Sequence, residues 1–583
     1  MIIETFKREG EIMNSDIFQK LIDKLYKFNT KRTVYFLITL LCALIIILVF
    51  WINNPNRINK YNSALKEKGD KFLFNGEYDK AIEEYLKIKI SNSKDGSEES
   101  LKNIRIAQIY ALKGDNDNYN KYINSVKNSN IKQEQVLSKL MLDSLFNGSI
   151  SDSFKYGEEA LKINPQNKEV IKSMIALYIA NNKRDQAVKL IKNYPVDTKS
   201  PYDVAENARM LLIIGDINEG LNQLKKAYDM DKDEYKIYDV LAQESLYNKE
   251  KILKAISDLS IKNPNETAYK MWLAKIYSLN STTNDKAEKL INELQNKDTG
   301  KIEIQLIKAA VLQNSNKVEE SDKLIKQIIT ENKKDYRAFH SAGWLYLRNG
   351  DFDKAIDNCN KSIEQNKNYP DNYAFLMPEI LKSIDKSQNA GTYYQTAIEK
   401  EPYNYNILIN TANYYGNIAN KISKAIDLYK LASLINPNEP EIKYNMALLY
   451  FNDGKDNEAV QALKDCIKLN RSSLKYHRTL GTIYLNMGKH QEGIKEIREA
   501  FKYDENDILT LNNAGCYYII YTNDFNRGYY NLKKAVAGIN KDTDEYTKRV
   551  INENYNNVKA IIEKIEKGKG NESIKIPDFR LLY

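Results

Sequence analysis

Small residues recur in this chain at a spacing that leaves few folds open. One column reads Ala355, Ala390, Ala425, Ala459, Gly493 and Gly528, at intervals of 35, 35, 34, 34 and 35 residues. Seven residues further on, Ser362, Ala397, Ala432, Cys466, Ala500 and Ala535 repeat the same intervals. Gly343, Ala412, Ala447, Gly481 and Gly515 make a third column. The unit behind them is clearest at 339–366, FHSAGWLYLRNGDFDKAIDNCNKSIEQN. It reads as two short amphipathic helices: Gly343, Trp344 and Tyr346 on the first, Asn349-Gly350-Asp351 as the turn, and Ala355, Ile356 and Ser362 on the second. The small residues let the helices approach closely, and the aromatics fill the gaps. One such hairpin cannot bury its apolar face alone, so it requires copies on either side.

A helix–turn–helix period of this length, with three registered small columns and a proline after some second helices (Pro165, Pro402 and Pro437), resembles the tetratricopeptide repeat family. The resemblance implies an all-α, right-handed α-solenoid of stacked helix pairs. Residues 61–537 have room for about 14 units at the family period. The pattern is degenerate over 61–335 and well formed over 336–537. In the first part GDKFLFNGEYDKAIEEYLKI is a recognisable unit, whereas 237–264 and 301–331 are poor matches. Pro378 falls near the small position of a first helix, where it is expected to kink that helix or mark a late start. Residues 542–567 are expected to form a capping helix whose Val550, Ile551, Tyr555, Val558, Ile561, Ile562 and Ile565 cover the last unit. A flexible tail, 568–583, follows, and its apolar end is open to two readings: folding back, or binding a partner.

Ahead of the repeats, 34–52 (VYFLITLLCALIIILVFWI) holds 19 residues without a charge. At 1.5 Å per residue that spans roughly the 30 Å core of a bilayer. Tyr35, Phe36 and Trp51 sit near its ends, as in aromatic belts, and no small-x-small cleavage site follows. An uncleaved transmembrane helix is therefore expected at 33–53. Lys24, Lys27, Lys31 and Arg32 before it, against Arg57 and Lys60 after it, place 1–32 in the cytoplasm and the repeats outside. Within 1–32, Ile17, Phe18, Leu21, Ile22, Leu25 and Tyr26 share one helical face opposite Lys20, Lys24 and Lys27. That suits an interfacial helix or a plain juxtamembrane extension equally. Arg8-Glu9-Gly10-Glu11-Ile12-Met13 can be encoded by a purine-rich ribosome-binding stretch, so synthesis is expected to start at Met13.

The net charge of +9 is small for 583 residues, and no basic stripe runs through the repeats, so nucleic acid is not an expected partner. The dominance of Lys, Asn, Ile and Tyr follows AT-rich codons, as in a low-GC bacterium. Of the four cysteines, Cys42 lies in the apolar run and the others fall in separate repeats, with Cys359 and Cys466, three repeats apart, too distant for a disulfide. They are read as buried, inert thiols.

No stretch carries catalytic chemistry. His340, His477 and His490 are scattered without ligand spacing, and no phosphate loop, nucleophile elbow or HExxH pair is present. Neither an enzyme, a metal nor a cofactor is expected. The family resemblance instead points to the concave groove lined by first helices, where peptide segments are held. Two residues before the small position stand Asn410, Asn445, Thr479 and Asn513, at intervals of 35, 34 and 34. An amide both donates and accepts, so such a row can grip an extended backbone without reading its side chains. Asparagine is also abundant throughout the chain, so the row fits a purely structural role as well. Tyr444, Arg478, Lys475 and Arg337 are expected to add aromatic and basic contacts for an acidic or C-terminal carboxylate ligand. The resulting expectation is a membrane-anchored scaffold that binds proteins or peptide segments and assembles envelope, secretion or surface components. A cytoplasm-facing docking platform and a cell-wall glycan module are the alternatives.

Overall fold

The computed structural model describes residues 39–41, 43, 55–90, 96–129, 133–147, 149–295, 297, 299–567 and 575–583. Those residues form an all-α, tetratricopeptide-like solenoid: fourteen consecutive helix pairs and a last single helix, with no strand among them. The expected membrane helix at 33–53 lies almost wholly outside the described residues. Among the described residues, no helix is long and apolar enough to cross a membrane.

The pairing follows from the small columns. Gly481 and Gly493 face each other where two paired helices cross. A Cβ on Gly481 would meet the Gly493 carbonyl at 2.8 Å, and one on Gly493 would meet the Gly481 carbonyl at 3.1 Å. Gly515 and Gly528 repeat this reciprocal approach, each Cβ reaching the other's carbonyl at 3.1 Å. Where the column carries serine, the hydroxyl donates to the facing helix: Ser153 Oγ to Met141 O at 2.9 Å and Ser321 Oγ to Ala309 O at 2.9 Å. These serines keep the period through units whose sequence reads as degenerate.

Most turns between paired helices need one left-handed residue to satisfy the last carbonyls of the first helix. Glycine supplies it at Gly350 (φ 75°), whereas Asn182, Asn316, Asn420 and Asn523 supply it elsewhere, with φ between 50° and 58°. Asparagine tolerates that conformation, so 301–331 folds as an ordinary pair despite its poor pattern: Lys301–Asn314 and Val318–Glu331. The poor match at 237–264 has another cause. Tyr235–Tyr247 and Lys249–Lys262 are joined by Asn248 alone, which ends one helix and starts the next.

Pro378 occupies the first turn of Met377–Ser383, immediately after a π-helical turn, Asn372–Leu376. Proline has no N–H to donate, so a first-turn position loses least.

The chain divides into two compact units, Met1–Ile131 and Lys132–Tyr583. The described part of the first holds two pairs, Pro55–Phe74 with Tyr78–Leu86 and Ser97–Lys113 with Asn116–Lys127. Asp70 joins them, accepting from Tyr85 at 2.6 Å and Arg105 at 2.8 Å. The second unit holds the other twelve pairs and the cap, Glu545–Glu566. Cys359, Cys466 and Cys516 are free and buried in it, and burial pushes the Cys466 thiol up to about 12.

Where a flexible tail was expected, its apolar end takes the folded-back one of the two readings. Residues 575–583 have no regular secondary structure, yet Phe579 and Leu582 are buried against the cap and the last pair rather than free. Burial of these two apolar side chains holds the segment in place.

Candidate peptide-binding groove

The row read from the sequence falls on successive first helices: Tyr405–Asn417, Pro440–Asn452, Leu474–Asn486 and Ile508–Thr522. Asn410 and Asn445 are half-buried, and Asn445 hydrogen-bonds the Tyr429 side chain. Thr479 is fully buried, 3.2 Å from the Tyr444 hydroxyl. Lys475 places its Nζ 3.9 Å from the centroid of the Tyr444 ring and 2.8 Å from Glu441. Arg478 is committed to Asp507 at 2.7 Å, the residue that caps the next first helix, Ile508–Thr522. Arg337 lies elsewhere. It is buried, pairs with Asp335 at 2.7 Å and donates to the backbone carbonyl of Asp233.

Asn513 is fully buried and grips the chain's own C-terminal segment. Its Nδ2 donates to Leu582 O and, at 2.8 Å, to Thr482 Oγ1. Its Oδ1 accepts from Leu582 N at 2.8 Å. Two residues back, Asn554 of the cap does the same to Arg580, donating to its carbonyl at 2.8 Å and accepting from its N–H at 3.1 Å. Asn512 adds a bond to the Arg580 carbonyl at 3.0 Å, and Thr482 one to the Leu582 carbonyl at 3.2 Å. In extended backbone, alternate residues turn the same edge to one side. Residues 580 and 582 therefore present both polar groups to the asparagines, as they would to a neighbouring strand.

Side chains on this segment enter apolar pockets. Phe579 packs with Cys516, Ile519, Leu532, Val558 and Ile561. Leu582 packs with Leu511, Ala535, Val550 and Ile551. Tyr583 meets the Phe451 ring edge-on at 5.8 Å. The tail is thus held by its main chain through amides and by Phe579 and Leu582, three residues apart, in two apolar clusters.

Thr482, Asn512 and Asn554 were not among the site residues expected from sequence. Asn512 adjoins a row position. Asn554 interrupts the apolar stripe of Val550, Ile551, Val558 and Ile561, and a polar residue on a buried face is a readable signal.

Midway along the second unit, the same face is filled by the chain itself. Glu401, in the link after Gly391–Lys400, reaches Arg209 at 2.8 Å and also pairs with Lys236. Lys236 pairs with Glu206 at 2.9 Å, and Tyr403 donates to Glu206. None of these four charged side chains is more than 1% exposed. Burial opposes their ionisation, but Lys236 and Arg209 overcome it and hold Glu401 well below the usual carboxylate range. Nearby, His340 is pushed down to about 4 by burial, so it is neutral, accepting from Trp344 Nε1 at Nε2 (3.0 Å) and facing Asn372 Oδ1 at Nδ1 (2.9 Å). Among the described residues, no group of His, Cys, Asp or Glu is placed to hold a metal.

Two family descriptions match: "Tetratricopeptide repeat" over residues 336–369, and "Anaphase-promoting complex, cyclosome, subunit 3" over 419–500. No curated protein matches the sequence. Among solved structures, the chain is similar to one in the Naa15/Naa10 complex bound to HypK-THB, at 13% identity, covering 87% of this chain and 97% of that one with a TM-score of 0.38. It is also similar to a chain of the APC/C hetero-tetramer Cut9-Hcn1, at 14% identity, 82% and 96% coverage and a TM-score of 0.37. Yeast Tom70 follows at 15% identity, 88% and 100% coverage and 0.31. At such identities and TM-scores, these likenesses say nothing about partners. The family matches cover residues 336–369 and 419–500, so tetratricopeptide repeats are present there, and helix pairs continue on either side of them.

Proposed function

We propose that the chain is a membrane-anchored scaffold, without catalysis of its own, that binds partner proteins by holding extended segments along its first helices. The observation that carries this reading is the pair of amide clamps. Asn513 and Asn554 each bond both polar groups of one residue in an extended backbone. Such bonds are indifferent to side-chain identity, so the groove suits polypeptide as a class. Tyr583 meets Phe451, on the helix that also carries Asn445, with Asn410 one unit earlier. A partner segment lying over those amides would have Tyr444 and Lys475 beside it.

Residues 33–53 supply the anchor in this reading, with the short N-terminal segment in the cytoplasm and the repeats outside. Partners would then be envelope, secretion or surface components. A photo-crosslinking residue at Asn445, compared in cells with one at Lys361 on the exposed side of another unit, tests the groove. Adducts are expected from position 445 alone, and equal adducts from both positions would sink the reading. Protease added to wall-stripped cells should degrade the repeats. Their full protection would overturn the orientation and turn the search to cytoplasmic regulators.

A further inference from the structure

The segment that occupies the groove belongs to this chain, and little about its attachment is specific to it. All bonds from Thr482, Asn512, Asn513 and Asn554 to the tail go to backbone atoms of Arg580 and Leu582. The Arg580 side chain is about half exposed, its distance to Glu553 being 3.7 Å, and Tyr583 is 47% exposed. Only Phe579 and Leu582 are buried. Any extended segment with large apolar residues at a first position and three further on satisfies the same groups. If the tail leaves, four polar side chains that are now buried and bonded face an open groove, and a second backbone can restore every bond.

We propose that residues 579–583 are an internal ligand of this groove. Partner segments of the same chemistry, extended and carrying the apolar pair at that spacing, enter by displacing them. The proposal rests on reading the groove as a peptide-binding site and adds its side-chain preference and its control. Because the tail is carried on the chain whose groove it fills, it competes at a fixed effective concentration, and free partners must exceed it. Access to the site is thereby set by tail release.

The probe is a fluorescent peptide of residues 576–583, IPDFRLLY, followed by polarisation, with a scrambled peptide as control. It is titrated into the full chain, the chain ended after Lys575, and the full-length double variant Phe579→Ala, Leu582→Ala, which keeps every backbone group. The peptide is expected to bind both altered chains on the order of tenfold or more tightly than the full chain, as a millimolar tethered competitor requires. Adding Asn513→Ala and Asn554→Ala to the shortened chain should abolish binding. Equal affinity for all three chains would overturn the displacement while leaving the groove reading intact. Binding that survives loss of both asparagines would overturn the groove reading itself. No binding to either altered chain, with both still folded by circular dichroism, would end the proposal. Equal binding of the scrambled peptide would remove the apolar spacing.

Discussion

Two parts of the same array close over their first helices by opposite chemistries. Midway along the second unit, Glu401 sits between Arg209 and Lys236, and Glu206 takes Lys236 and Tyr403. At its end, neutral amides hold Arg580 and Leu582 by their backbone. A buried charge has one acceptable neighbour, and losing it leaves an uncompensated ion, so the middle is a permanent lock. A buried amide can bond any extended backbone, which is why the end is proposed as an exchangeable site. The difference separates a stretch of the second unit closed by buried charges from one closed by backbone bonds, the stretch proposed to exchange its occupant.

The contrast is broken most severely at Glu401. Glu401→Ala should destabilise the second unit by roughly 3–5 kcal/mol in urea or thermal unfolding, because Arg209 and Lys236 lose their shared partner. Acid probes the same lock. Since the folded state holds Glu401 and Glu206 below the usual carboxylate range, their contribution is fully present above the unfolded value of about 4.3 and lost as pH falls beneath it. Unfolding midpoints of the parent should therefore drop below about pH 4. The alanine variant should show a shallower drop, and an unchanged acid slope would remove the lock from the account.

At the other end the effects are smaller and local. Leu582→Ala should weaken tail docking by about 2–3 kcal/mol while leaving global unfolding almost unchanged. Cys516 reports it, since its sulfur lies 3.7 Å from the Arg580 carbonyl, and its thiol labelling should quicken by the matching factor. Asn513→Ala should cost about 1–2 kcal/mol of the same docking. It should also speed hydrogen exchange at the Leu582 amide, and protection equal to the parent's would deny the clamp. Lys475→Ala marks the lower limit. Lys475 and Glu441 are 41% and 49% exposed, so solvent screens the pair and stability should move by no more than about 0.5 kcal/mol.

The helix pairs were largely legible in the sequence, and the reasons for the gaps are local. Ser153 and Ser321 hold small positions that a search for alanine and glycine passes over, and each replaces lost contact with a hydroxyl bond to the facing helix. Asn182 and Asn316 stand for glycine in turns. The groove was half legible. Thr479 and Asn513 fell on the row, but Thr482, Asn512 and Asn554 entered only because a bound segment turns its polar edge toward them. Arg337, expected to add a basic contact for a ligand, serves Asp335 and Asp233 instead.

What the sequence determined by itself is everything that depends on the next helix along. Period, close crossings, turns and cap are nearest-neighbour properties, and a repeat chain is nearly one-dimensional in its energetics. Tertiary structure alone decided which distant units meet. Lys236 finds Glu401 165 residues away, Lys172 donates to the Lys400 carbonyl 228 residues away, and Asn513 holds a tail 69 residues on. Such meetings follow from small rotations added over many units, and no single pair of residues encodes that sum.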